Sequence, residues 1–121
     1  MKEEDVIAFA RKSFASLWEL DLLLLLHGSQ DRIWAAETAV VALRASRDAI
    51  DQAVRKLQAL KFVTVLDDGR ISYALKEGPH EEAVEALARL WKEKPYSVIA
   101  AIYEAQAGPL KNFSDAFKLK E

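Results

Sequence analysis

The chain has 121 residues, enough for one compact domain, and its 51% hydrophobic and 30% charged residues can build one real core, which excludes a wholly disordered polypeptide. With no cysteine, disulfides and thiolate zinc sites are excluded. A net charge of −2 and a pI near 5.7 exclude the overall basic excess typical of nucleic-acid binders, so any face for a polyanion must be a local patch.

The elements follow in chain order. Residues 3–15 place Val6, Ile7, Phe9, Ala10 and Phe14 mostly on one side at helical spacing, with Arg11 and Lys12 opposite. The opening MKEEDVIAFARKSF puts acids before its first apolar residue, unlike a secretory signal, and the longest apolar run, Leu22 to Leu26, is far short of the ~20 residues a membrane span needs. The expectation is a cytoplasmic protein with no membrane association.

Ser16-Leu17-Trp18-Glu19 fits a capping box and opens a second helix, Leu17 to His27, which is apolar nearly all round and is expected at the centre. Gly28 is expected to close it in the left-handed conformation. Gln30 to Trp34 reads as a short extended piece anchored by Ile33 and Trp34. Ala36 to Ala45 is a helix with Ala39, Val40 and Leu43 inside. Ser46 caps another, lined by Ile50, Ala53, Val54, Leu57 and Leu60. The β-branched run Phe62 to Leu66, the turn Asp67-Asp68-Gly69-Arg70 and the alternating Ile71 to Leu75 predict a β-hairpin.

Gly78-Pro79 then opens a helix near Glu81 with Val84, Leu87, Leu90 and Trp91 inside. Pro95 interrupts it, and a last helix carries Val98, Ile99, Ile102 and Tyr103 on one face. Gly108-Pro109 ends that helix, and a tail holds Phe113, Phe117 and Leu119. The expected fold is mainly α with a small β-hairpin, in a single domain 1–121. A head spans 17–77, preceded by an N-terminal helix (1–16) and followed by a C-terminal helical extension and tail (79–121).

The order helix, short strand, helix, turn, helix, hairpin across residues 17–75 resembles bacterial winged helix-turn-helix proteins. Leu17-Trp18-Glu19-Leu20 and the leucine run look like their first core helix, and Arg32-Ile33-Trp34-Ala35-Ala36-Glu37 like their strand-to-helix junction. Ala45-Ser46-Arg47-Asp48-Ala49-Ile50 is similar to their turn into the recognition helix. Leu57 to Val63 resembles its ending, where a Gly often stands at the position of Lys61. Phe113-Ser114-Asp115-Ala116-Phe117-Lys118-Leu119 is similar to the Phe-Ala-Asp-Ala-Phe-Arg-Leu ending of a small, poorly characterised subgroup with this head.

The resemblance implies a winged helix with extra N- and C-terminal helices, acting as a double-stranded DNA-binding transcriptional regulator. Its third helix would enter the major groove while the wing touches backbone. The outward side of that helix carries Asp48, Asp51, Gln52, Arg55 and Ala59, with Asp51 and Arg55 spaced to pair at i, i+4. The flanking bases are Arg44, Arg47, Lys56, Lys61 and Arg70. On this reading Arg47 and Gln52 contact the target, Arg44 and Arg70 hold phosphates, and Arg55 and Lys56 complete the candidate DNA-binding set. The acidic balance of the same face equally suits an adaptor that binds another protein and no DNA.

Catalysis is not expected. The two histidines, His27 and His80, lie far apart, no motif sets a base beside a nucleophile, and neither a metal-ligand set nor a cofactor motif is visible. His27 reads as a cation at a helix C-terminus, His80 as an exposed residue at a helix start, and Glu81 and Glu82 as favourable charges in a first turn. Trp18, Trp34 and Trp91 read as core. The stripes carrying Val6, Phe14, Leu87, Trp91, Val98 and Ile102 lie outside a minimal winged-helix core. They are the expected interface of a homodimer that would match a palindromic target.

Overall fold

The computed structural model describes residues 1–76, 78 and 80–106. In chain order these form α1 (Glu3–Ser13), α2 (Leu17–His27), α3 (Ala36–Leu43), α4 (Arg47–Ala59), β1 (Val63–Val65), β2 (Ile71–Tyr73), α5 (Glu81–Glu93) and α6 (Pro95–Gln106). The architecture is mainly α with one small antiparallel hairpin. The expected tail motif from Phe113 and the Gly108-Pro109 break lie outside the described residues.

Two of the helices, α2 and α4, begin where a serine side chain supplies a partner for a free N–H group. Ser16 Oγ accepts from the Glu19 backbone N–H, and Ser46 Oγ from that of Ala49. Glu19 completes the first cap in a shifted form: its carboxylate accepts from the Ala15 N–H at 3.0 Å and from the Ser16 hydroxyl at 3.1 Å. Those bonds are why a glutamate can be buried here. Pro95 opens α6, where a missing N–H costs nothing.

The closures differ from expectation. Gly28 is right-handed (φ −70°, ψ −12°). The left-handed positions fall instead on Arg44 (φ 53°) after α3 and Lys61 (φ 65°) after α4. At Lys61 the Phe62 N–H reaches Leu57 O and the Lys61 N–H reaches Gln58 O. At Arg44 the Ala45 N–H reaches Val40 O and the Arg44 N–H reaches Val41 O. Both are Schellman closures, whose paired bonds offset the roughly 1–2 kcal/mol strain of a side chain at positive φ.

The hairpin pairs Val63 with Tyr73, Thr64 with Ser72 and Val65 with Ile71. Its loop is a three-residue one: the Gly69 N–H bonds Leu66 O, Leu66 and Arg70 close the ladder, and Gly69 (φ 87°) takes the position that only glycine fills easily. On the far side of β2, Trp34 and Ile71 exchange both backbone hydrogen bonds, at 2.8 and 2.7 Å. The expected extended piece before α3 thus becomes a third rung beside the hairpin.

Leu20, Leu22, Leu23 and Leu26 of α2 are fully buried, each contributing about 1.5–3 kcal/mol of burial, and α2 packs on α3, α4, α5 and β2. Leu23 and Leu57 belong to one hydrophobic cluster that runs from Val6 to Ile102. Helix α1 packs on α5 and α6 and is tied to them by Arg11–Glu104 and Lys94–Glu3, both at 2.9 Å. Phe62, at the root of the hairpin, meets Phe9 and Phe14 of the N-terminal segment.

Several expected core positions face water. Trp18 is 40% exposed and Tyr103 54%, since no helix among the described residues covers those faces of α2 and α6, and Ile33 also points outward. Trp34 is buried under the Arg32 guanidinium, 3.9 Å from its ring centre. No helix is long and apolar enough to cross a membrane among the described residues.

Candidate functional site

Helix α4 turns Ile50, Ala53 and Leu57 inward, which leaves its opposite side in solvent next to the hairpin. A shallow cleft between the two is lined by Ala36, Arg47, Asp51, Val54, Arg55, Gln58, Val65, Gly69 and Ile71. Arg47 and Arg55 therefore share one cleft, with the hairpin turn at its edge. Gln52 looks the other way, into a depression beside the start of α2 with Ser16, Trp18 and Asp48. Arg44, Arg47, Gln52, Arg55, Lys56 and Arg70 are all exposed, but the fold does not gather them into one patch.

Three of the six are already occupied. The Arg47 guanidinium donates to Glu37 Oε1 at 2.7 Å and to Asp51 Oδ1 at 3.0 Å, and these bonds, the Asp51 one first, raise its pKa further. Glu37 is held below the usual carboxylate range by its own backbone N–H and then by Arg47. Gln52 donates to Asp48 at 2.8 Å. Arg70 donates its backbone N–H and its guanidinium to Asp68, which keeps that carboxyl low. The expected Asp51–Arg55 pair does not form. Asp51 is one turn from either arginine, and Arg47, bridging to Glu37 as well, takes it. Arg44, Arg55 and Lys56 have no ion pair among the described residues.

The expected dimer stripe is spent differently. Val6, Phe14, Leu87, Val98 and Ile102 are buried in the chain's own core, and Trp91 is partly buried against it. As an exposed interface the set is corrected: α1, α5 and α6 turn these faces toward one another and toward α2, since each offers the nearest apolar cover for the next.

Sequence reasoning missed a second polar cluster, at the seam where the end of α2 meets the start of α5. Glu81 Oε2 accepts from the Tyr73 hydroxyl at 2.6 Å and its Oε1 from Gln30 Nε2 at 3.3 Å, while His27 Nε2 stands 3.6 Å from Oε1. Tyr73 is buried, and burial together with the Glu81 acceptor pushes its hydroxyl pKa far above the ordinary value of 10.0. No local signal joins residues this far apart; only the packing of α5 on α2 does. Neither a family model, nor a curated protein, nor a solved structure matches the chain.

Proposed function

We propose that the chain is a winged-helix regulator that binds double-stranded DNA through α4 and the hairpin and has no catalytic role. The observation that carries this reading is Arg55: it stands mid-face on the outward side of α4, exposed and unpaired among the described residues, in the cleft beside the hairpin. Arg44 and Lys56 are likewise exposed and unpaired among the described residues, though neither lines that cleft. The order α2, Trp34 bridge, α3, α4, hairpin supports the winged-helix assignment, with β1–β2 as the wing. Groove contact by α4 and backbone contact by the wing is the division of labour such a layout performs.

Binding would require Arg47 to exchange two carboxylates for phosphates. That exchange is feasible because exposed pairs are weak and already compete with water. The test is retardation of bulk duplex at micromolar protein and about 50 mM salt, where the sequence-independent electrostatic attraction is strong. Arg55→Ala should weaken binding, and Arg70→Ala should lower the salt slope by about one unit. Absence of retardation by the unaltered chain ends the DNA reading.

One set of contacts favours a second reading, a winged helix that docks on another protein. Glu37, Asp51, Asp48 and Asp68 already balance Arg47, Gln52 and Arg70, leaving a face of mixed charge of the kind protein surfaces match. A twofold assembly on DNA would need a surface other than the buried stripe of α1, α5 and α6. Light scattering over a concentration series measures whether the mass exceeds that of one chain.

A further inference from the structure

We propose that His27, Glu81 and Glu85 form a binding site for one first-row divalent transition-metal ion, zinc above all. One ligand atom from each of the three lies within 4.8 Å of the others. His27 closes α2, while Glu81 and Glu85 stand one turn apart on the same side of α5, so packing of α5 on α2 brings an imidazole against two carboxylates.

Three observations point to an ion rather than to a salt bridge. First, His27 Nε2 is buried and has no hydrogen-bond partner among the described residues. A lone pair or N–H withdrawn from water and left unmatched is costly, and a coordinated cation would satisfy it. Second, the His27 Nε2–Glu81 Oε1 distance is 3.6 Å, too long for a hydrogen bond. Two ligands at about 2.1 Å from a tetrahedral zinc lie roughly 3.4 Å apart, so this pair already stands near a coordination edge.

Third, Glu81 is held from behind. The Tyr73 hydroxyl and the Gln30 amide both donate to its carboxylate, the outer support that orients ligating groups at metal centres. Glu85 is exposed, which gives the ion a way in and leaves a position for water. One nitrogen and two carboxylate oxygens suit zinc and its first-row neighbours better than calcium, which takes six to eight oxygens.

The site is separate from the α4–hairpin face and stands whether or not that face binds DNA. The experiment uses the full chain, freed of metal by chelation and titrated with zinc(II), read by calorimetry and by thermal unfolding. The expected result is one zinc per chain and a rise in melting temperature. Glu85→Gln, at an exposed position, should leave the metal-free melting temperature unchanged and weaken zinc binding at least tenfold, as should His27→Gln. His80→Gln should bind zinc as the unaltered chain does. The proposal is overturned if zinc gives neither heat nor thermal shift, if Glu85→Gln binds zinc undiminished, or if His80→Gln loses as much affinity as His27→Gln.

Discussion

The outer face of α4 and the seam between α2 and α5 are built from the same kinds of groups, carboxylates facing donors, but they differ in how much water reaches them. On α4 and the hairpin turn beside it the partners are exposed, or half-buried at Asp51: Arg47 with Glu37 and Asp51, Gln52 with Asp48, Arg70 with Asp68. Such pairs form and exchange at little cost. At the seam Tyr73 is buried and Glu81 mostly so, and the donor sits 2.6 Å from the carboxylate. There a missing partner leaves a desolvated group behind. The lesson is that groups of similar composition hold loosely where water competes for every partner and tightly where burial removes that competition.

The contrast is tested hardest at Tyr73. Tyr73→Phe keeps the ring but removes the donor to Glu81, and should cost about 1.5–3 kcal/mol in urea unfolding, the range for a hydrogen bond to a charged group. A loss below about 0.5 kcal/mol would put the seam on a par with the surface pairs.

Alkaline titration sharpens the same point. Burial, and then the Glu81 acceptor, raise the Tyr73 pKa in the folded chain, so the folded state keeps a proton that the unfolded state releases from pH 10 upward. The stabilisation is whole below pH 10 and falls as pH climbs above it. Unfolding midpoints measured from pH 8 to 11 should show this decline, and Tyr73→Phe should flatten it.

Gln30→Ala removes the longer, 3.3 Å bond to the same carboxylate and should cost less, about 0.5–1 kcal/mol by the same assay. Smallest of all is Arg47→Ala. It breaks two exposed pairs at once, yet the melting temperature should not move, whereas retention of duplex should drop. A clear thermal loss would mean that Arg47 fastens α3 to α4 and is not held in reserve.

Much of the fold was legible along the chain. Ser16 and Ser46 cap the helices they precede, the Asp68-Gly69 turn joins the strands it separates, and Val63 meets Tyr73. These features depend on residues a few positions apart, so spacing and side-chain type suffice. The candidate DNA-binding residues were legible as exposed positions around α4 and the hairpin, but the choice among their partners was not. Arg47 meets Asp51 one turn away on its own helix, whereas its bond to Glu37, ten positions back, depends on how α3 packs beside α4. Gly28 misled because its residue type permits a left-handed cap without requiring one, while Arg44 and Lys61 accept that conformation under the pull of two closing hydrogen bonds each.

By itself, then, the amino-acid order determined where helices begin, which faces are apolar and where the ribbon turns, because propensity, capping and periodicity act over one or two turns. Only the tertiary structure decided that the stripes of α1, α5 and α6 close on their own core, that Trp18 faces water while Trp34 does not, and that His27 stands against Glu81 and Glu85. Those outcomes are set by which surfaces find cover. Cover depends on the volume and direction of every packed neighbour, and no local window of sequence contains that information.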